Sequence, residues 1–198
     1  MINNNLKSGK GKKVGGVERV RGFTLLETLV AIAILMVAIT GPIVAAQKSL
    51  TSSTLARDQF TAGYLAQDAI EYIKSLKTYN IQKGIAWLSG MDPATCSVMG
   101  CYVDTTYNDF SGVIPPTPGL KACSQTECND HELLYDSPNL TFRPKVTGTY
   151  DTGISTSFYR TVKISTVNPD EVRIEAMVKF KAGRSDDSIT LYDNLYNF

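Results

Sequence analysis

Histidine is nearly absent from this chain, because His131 is the single histidine in 198 residues. The count excludes a histidine-rich metal site, and a Ser/His/Asp catalytic arrangement would have to use His131. That residue lies in the polar stretch Cys128-Asn129-Asp130-His131-Glu132, which predicts a solvated loop histidine rather than a catalytic base. We therefore predict no catalytic residue, no cofactor and no enzymatic activity.

A glycine-rich phosphate loop is also missing, because the nearest pattern, Gly9-Lys10-Gly11-Lys12, lacks the strand-to-helix context that such loops require. Basic residues are scarce after residue 22. Residues 1–22 carry six basic side chains and one acidic side chain, whereas residues 23–198 carry 14 basic and 18 acidic ones. The larger segment lacks the basic footprint of a nucleic-acid-binding domain, so we predict no direct nucleic-acid site.

Charge is absent altogether from Leu29 to Ala46, a run of 18 residues. This is about the shortest run that can cross the hydrocarbon core of a membrane as a helix. Gly41 and Pro42 interrupt it, but membrane helices tolerate both. Basic residues before such a segment place its N-terminal side in the cytoplasm. We therefore predict a single-pass membrane protein with a cytoplasmic leader and an extracytoplasmic C-terminal domain.

One carboxylate, Glu27, lies at the start of the apolar run. Burial at the centre of a bilayer would cost about 2.5–3.5 kcal/mol, and less near an end. A chain that needed only an anchor would gain by losing this residue, and ionisable groups in membranes usually face a partner. The alternative is a solvated Glu27 at the level of the headgroups, and position alone leaves both interpretations open.

The stretch Gly22-Phe23-Thr24-Leu25-Leu26-Glu27, followed by the apolar run, resembles the processing site of type IV prepilins and type II secretion pseudopilins. The resemblance implies that a membrane peptidase cleaves after Gly22 and N-methylates Phe23, the new N-terminus. It also implies that Glu27 serves in assembly, where the cationic α-amine of a neighbouring subunit would neutralise it.

The same resemblance implies the partners of the chain. These are prepilin peptidase, other pilin subunits of the same or a different sequence, an inner-membrane assembly platform, and membrane lipid before assembly. The product would be a fibre at the cell surface or in the periplasm, and the length and cysteine-containing loop fit a minor pilin or pseudopilin. Two alternatives remain. One is a membrane-tethered binding or adhesion protein that does not polymerise, and the other is a secretory signal peptide cleaved near Ala45-Ala46-Gln47.

Helical periodicity continues beyond the apolar run. It is carried by Leu50, Leu55, Phe60, Tyr64, Leu65, Ala69, Ile70, Ile73 and Leu76. We predict one helix from about Phe23 to about Lys77, kinked near Pro42, whose second half is amphipathic and needs a cover for its apolar stripe.

Strand patterns follow in the C-terminal part. Residues 158–165 and 172–180 alternate and are joined by the turn Asn168-Pro169-Asp170, which predicts a hairpin. Residues 141–146 form a weaker strand that contains Pro144. Residues 183–187 are predicted as a second turn, leading to a strand at 188–192. The apolar face of this sheet would be covered by the amphipathic half of the helix.

The predicted fold class is therefore α+β, with a long N-terminal helix on a C-terminal antiparallel sheet, the lollipop shape of pilins. The predicted segments are a leader (1–22), a transmembrane or fibre-core helix (23–46), its amphipathic half (47–77), a cysteine-containing loop region (78–140) and the sheet (141–198).

The loop region contains all four cysteines, Cys96, Cys101, Cys123 and Cys128. Cysteines outside the cytoplasm usually form disulfides, and three pairings are possible. We favour the local pairs Cys96–Cys101 and Cys123–Cys128, because each closes a short loop. A four-cysteine zinc site is the less favoured alternative, since zinc sites usually have shorter spacing. Asp186 and Asp187 could contribute to a calcium site, but adjacent aspartates more often form a solvated turn, and we predict no metal.

Overall fold

The computed structural model describes residues 22, 24–106, 119–124, 128–129, 131–145, 153–183 and 185–197. The helices are α1 (Leu25–Gln82) and α2 (Pro93–Cys96). The strands are β1 (Cys101–Val103), β2 (Leu120–Ala122), β3 (Glu132–Asp136), β4 (Thr141–Pro144), β5 (Ile154–Asn168), β6 (Glu171–Ala182) and β7 (Ser185–Tyr196). The chain divides into two compact units, an N-terminal unit (Met1–Gln47) and a globular unit (Lys48–Phe198), and the boundary falls within α1.

Helix α1 is 58 residues long and continues through Pro42. Its end lies at Gln82, five residues beyond the predicted end, and the reason is a glycine cap. Gly84 adopts φ +67, its N–H donates to Ile81 O at 3.0 Å, and the N–H of Ile85 donates to Asn80 O at 3.0 Å. This pair of hydrogen bonds is the Schellman arrangement that ends helices at a left-handed residue.

The strands form one antiparallel sheet in which β5 is central. Strand β6 lies on one side of β5, and β7 pairs with β6. On the other side, β3 pairs with the first part of β5 and β1 with Val162, while β4 and β2 lie beyond β3 and β1. The turn at Asn168–Asp170 joins β5 and β6, which confirms the predicted hairpin.

Two predictions about this sheet are wrong. The region 78–140, predicted as loops, contains α2, β1, β2 and β3. These elements are three to five residues long, which is too short for periodicity to reveal them. The second predicted turn is also too long. Gly183 turns the chain at φ +67, and Asp186 and Asp187 already pair with Lys181 and Phe180 within the β6–β7 ladder.

The core lies between the second half of α1 and the sheet. The predicted inward face of β6 is buried throughout. It consists of Val172, Ile174, Ala176, Val178 and Phe180. On α1, the buried residues follow helical spacing from Ala62 through Ile73 to Leu76. Both sets belong to one apolar cluster, against which Trp87 packs half-buried, so the predicted α+β arrangement of helix on antiparallel sheet is confirmed.

Candidate functional site

The predicted cleavage position is described on one side of the bond only. Gly22 is exposed, and no atom would lie within 4 Å of a side chain placed there. Phe23, the predicted site of N-methylation, lies outside the described residues.

Helix α1 begins with a side-chain cap at Thr24. The Thr24 Oγ1 accepts a hydrogen bond from the Glu27 backbone N–H at 3.2 Å, and the Thr24 carbonyl accepts one from the Thr28 N–H. Thr24 and Glu27 therefore occupy the first and last positions of a capping-box sequence. An acidic residue in the first turn also interacts favourably with the helix dipole. The side chain of Glu27 is exposed.

The first half of α1 buries none of its apolar side chains. Its most apolar 18-residue window has a mean hydropathy of 2.6 and is 0% buried. Among the described residues, α1 is the one helix that is long and apolar enough to cross a membrane. Leu25 and Val37 remain 84% and 77% exposed. Such a surface needs lipid or other apolar helices around it.

Hydroxyl groups in this half are satisfied within the helix. Thr28 Oγ1 donates to Leu25 O at 2.9 Å and Thr40 Oγ1 donates to Met36 O at 2.6 Å. Pro42 has no N–H, which leaves the carbonyl four residues earlier without its usual helical donor. Internally bonded hydroxyls suit a hydrocarbon environment, and membrane helices tolerate the carbonyl that a proline leaves without a donor.

The cysteines form the two local pairs that the sequence favours. Cys96 is bonded to Cys101, and Cys123 is bonded to Cys128. Neither cysteine pair is therefore available as a thiolate ligand for zinc. The first bridge ties α2 to β1, and the second follows directly after β2.

His131 is not the solvated loop residue that its neighbours in sequence predict. It is 7% exposed, its Nδ1 lies 2.9 Å from Lys145 O, and its ring centre lies 4.0 Å from that of Tyr102. The ring of Tyr102 on β1 and the carbonyl of Lys145 therefore enclose His131. The described residues contain no group of three His, Cys, Asp or Glu side chains that could hold a metal ion, and Asp187 Oδ1 accepts the N–H of Ser188.

Sequence reasoning missed the most buried charged group of the described residues, Arg160 on β5. Its guanidinium forms an ion pair of 2.9 Å with Asp68 of α1 and also donates to the carbonyls of Leu65 and Val103. Burial lowers the pKa of Arg160 from its usual value, and the carboxylate of Asp68 opposes this shift. The signal was present, because Arg160 occupies an inward position in the alternation of β5.

A second ion pair joins α1 to the edge of the sheet. Lys74 Nζ lies 2.7 Å from Asp193 Oδ2, and both side chains are about one-third exposed. The hydrogen bond to Asp193 raises the pKa of Lys74, and the same bond lowers the pKa of Asp193. The solvent around both groups weakens the pair.

A groove of about 890 Å³ lies between α1 and the β3–β4 turn. Tyr64, Asp68, Thr105 and Arg143 are among its lining residues. Asp68 is already engaged by Arg160 and by Thr105, whose Oγ1 lies 2.8 Å away.

Comparison with protein-family models finds one match, the prokaryotic N-terminal methylation motif, at residues 19–41. Comparisons with curated proteins and with solved structures find no significant match. The matched segment contains Gly22, Thr24 and Glu27, and it ends within the exposed apolar half of α1. The motif and the apolar helix fit a single-pass membrane anchor and a type IV pilin-like substrate of prepilin peptidase. In this N-terminal segment, the chain is similar to type IV pilins and pseudopilins.

Proposed function

We propose that the chain is a structural subunit of a type IV pilus-like or type II secretion pseudopilus fibre, assembled through the first half of α1. The observation that carries the proposal is an apolar helix surface that is exposed among the described residues and begins beside one carboxylate, Glu27. Lipid covers such a surface before assembly, and the equivalent helices of neighbouring subunits cover it in a fibre.

Glu27 gives this packing a defined stagger. Cleavage after Gly22 would create a cationic α-amine on Phe23. Opposite charges attract strongly where water is excluded, and an unpaired carboxylate is penalised there. Neighbouring helices would therefore settle where the amine of one subunit meets the carboxylate of another. The basic leader would stay in the cytoplasm, and the globular unit would face the opposite side of the membrane.

Mass spectrometry of sheared filaments tests the proposal. We expect filament fractions to contain a peptide that begins at methylated Phe23, together with peptides from the globular unit. A mature chain that retains residues 1–22, or that begins near Gln47, would contradict it. The uncleaved membrane fraction of a strain without prepilin peptidase is the matched control, because it should contain the leader and no filaments.

A second candidate is a membrane-tethered binding or adhesion protein that does not polymerise. The cap at Thr24 favours it, because a capping-box role would explain Glu27 without any partner. Glu27→Gln separates the two candidates, since glutamine also serves at this capping position but carries no charge. Normal insertion and cleavage with lost filament incorporation supports the fibre and the assembly role of Glu27. Normal incorporation would show that Glu27 has only a local role at the cap, and the absence of both the wild-type protein and the variant from filaments would support the tether.

A further inference from the structure

The guanidinium of Arg160 is enclosed by the globular unit, with 1% of the residue exposed. Its Nη1 donates to Leu65 O at 3.0 Å and to Asp68 Oδ2 at 2.9 Å, while Nη2 donates to Val103 O at 2.9 Å. Nε has no partner among the described residues. Arginine stays protonated in proteins. The loss of another partner would therefore leave a buried charge unsatisfied rather than neutralised.

The contact of Nη2 depends on β1, which is a short strand. Three ladder pairs join β1 to β2, which is equally short, and one pair joins Cys101 to Val162 of β5. Strands of this length have little stability of their own. Further restraints are needed to keep Val103 O against the guanidinium.

The two disulfides supply these restraints. The Cys96–Cys101 bridge holds the first residue of β1. Cys123, which is bonded to Cys128, donates its backbone N–H to Gly100 O at 3.1 Å. Gly100 packs so closely on β5 that a Cβ there would lie 2.6 Å from Thr161 Cγ2. Both bridges therefore converge just before Val103.

We propose that the oxidation state of the two disulfides controls how stably α1 packs against the sheet, and we call this arrangement the redox latch. Arg160 links the two, because its guanidinium contacts both α1 and β1. With both bridges closed, β1 keeps Val103 O at Nη2, and α1 and β1 together satisfy the guanidinium. With the bridges open, β1 is released, Nη2 loses its acceptor, and the buried charge weakens the contact between α1 and β5. The latch concerns the globular unit alone and is independent of the proposed fibre.

The chemistry of the latch is thiol–disulfide exchange. To open one bridge, a dithiol reductant gives two electrons and two protons, the S–S bond breaks, two cysteine thiols form and the reductant becomes a disulfide. To close it, the electrons pass to a disulfide-bearing oxidant. Oxidising compartments outside the cytoplasm favour the closed state. Docking of α1 would thereby be completed only where such an oxidant is present.

Hydrogen exchange on the full chain in detergent tests the latch. Exchange is read by mass spectrometry before and after reduction with dithiothreitol and alkylation. We expect faster exchange in β1 and also in residues 62–69 of α1, which lie outside both disulfide loops, while the β6–β7 hairpin keeps its protection. An increase confined to the cysteine-containing segments, with α1 unchanged, would overturn the proposal.

Variants of the full chain supply a second test that does not depend on the first. Arg160→Met removes the charge that needs Val103 O and leaves Asp68, which is half exposed, to be solvated. Lys163→Met, on the same strand, is the matched control. We expect reduction to weaken the folding equilibrium of wild type and Lys163→Met about tenfold more than that of Arg160→Met.

Equal losses in all three proteins would mean that the bridges act on the chain without Arg160, and the latch would be refuted. Arg160→Lys provides a further variant should Arg160→Met fold poorly. It keeps a positive charge but cannot bridge α1 and β1 as a guanidinium does. We expect it to be less sensitive to reduction than wild type, and equal sensitivity would count against the proposal.

Discussion

The two halves of α1 differ in what surrounds them. In the N-terminal unit, every described side chain of α1 is exposed. In the globular unit, α1 buries nine residues, from Ala62 to Asn80. The backbone is helical in both, so the difference lies in the side chains. An apolar run without polar interruptions has no preferred face, whereas apolar residues at helical spacing define one.

The comparison shows that one helix can have two kinds of surroundings. One part packs against the rest of its own chain, and the other leaves its apolar side chains open to other molecules. The second half of α1 is held by the sheet of its own subunit, at about 1.5–3 kcal/mol for each fully buried large aliphatic side chain. The described residues of the first half bury no side chain, and under the proposed function lipid or other subunits would cover this apolar surface. Function is therefore expected where the chain leaves its apolar surface uncovered.

The largest effect is expected when one isoleucine of the second half of α1 is replaced by alanine, and the same replacement in the first half is the matched comparison. Ile73 is 0% exposed and Ile34 is 65% exposed. Ile73→Ala should lower the free energy of unfolding of the globular unit by about 2–5 kcal/mol, because a cavity remains in a packed core. Ile34→Ala should change it by less than about 0.5 kcal/mol. Denaturation of the full chain in detergent measures both.

Comparable losses in the two variants would show that the first half of α1 contributes to the stability of the globular unit. The comparison would then be wrong as stated. Tryptophan fluorescence is a suitable signal, because Trp87 is the one tryptophan of the chain and packs against the core.

The sequence revealed those parts of the molecule whose physical cause is local. The stretch from Gly22 to Glu27 could be interpreted directly, because a peptidase and a methylation step recognise residue types in order. The β5–β6 hairpin was equally evident from strict alternation and turn residues. Strands β1 to β3 were not, because their own patterns span too few residues.

Arg160 and His131 show a different limit of sequence reasoning. General statistics place arginine at the surface and histidine at intermediate burial, yet both residues are buried here. Arg160 could have been found by taking the alternation of β5 literally. His131 could not, since its burial depends on Tyr102 of β1, a strand that the sequence did not reveal.

The next largest effect is expected at the end of α1. Asn80 is 0% exposed, and its Nδ2 donates to Trp87 O at 3.1 Å and to Ser89 O at 2.8 Å. Asn80→Ala leaves these carbonyls without a donor and should cost about 1–3 kcal/mol. Asn80→Leu is a useful companion, because it nearly keeps the size and adds no charge but removes the donor. A loss with alanine alone would indicate that packing, rather than hydrogen bonding, is responsible.

Two glycine substitutions compare how the C-terminal cap of α1 and the interior of the helix contribute to the stability of the globular unit. Gly84→Ala should destabilise the globular unit by about 1–2 kcal/mol, because φ +67 is unfavourable for a residue with a Cβ. Gly63→Ala lies within α1 with no atom within 4 Å of the added Cβ. It should stabilise by up to about 1 kcal/mol, since alanine favours helix. Thermal unfolding followed by circular dichroism distinguishes the two signs, and a stabilising Gly84→Ala would contradict the cap.

The smallest effect is expected from the exposed ion pair of Lys74 and Asp193. Because the fold lowers the pKa of Asp193, its contribution should be present above the unfolded value of about 4 and lost as the pH falls through the folded value. Asp193→Asn should therefore cost about 0.2–1 kcal/mol at neutral pH and little at pH 2. Because the fold raises the pKa of Lys74, the contribution of Lys74 to stability is lost only when the pH rises through its folded value in the alkaline range. The urea midpoints of wild type and Asp193→Asn, measured between pH 2 and pH 7, give this difference in stability. If the difference between the two midpoints does not become smaller in acid, the hydrogen bond from the Asn194 N–H to Asp193 matters more than Lys74.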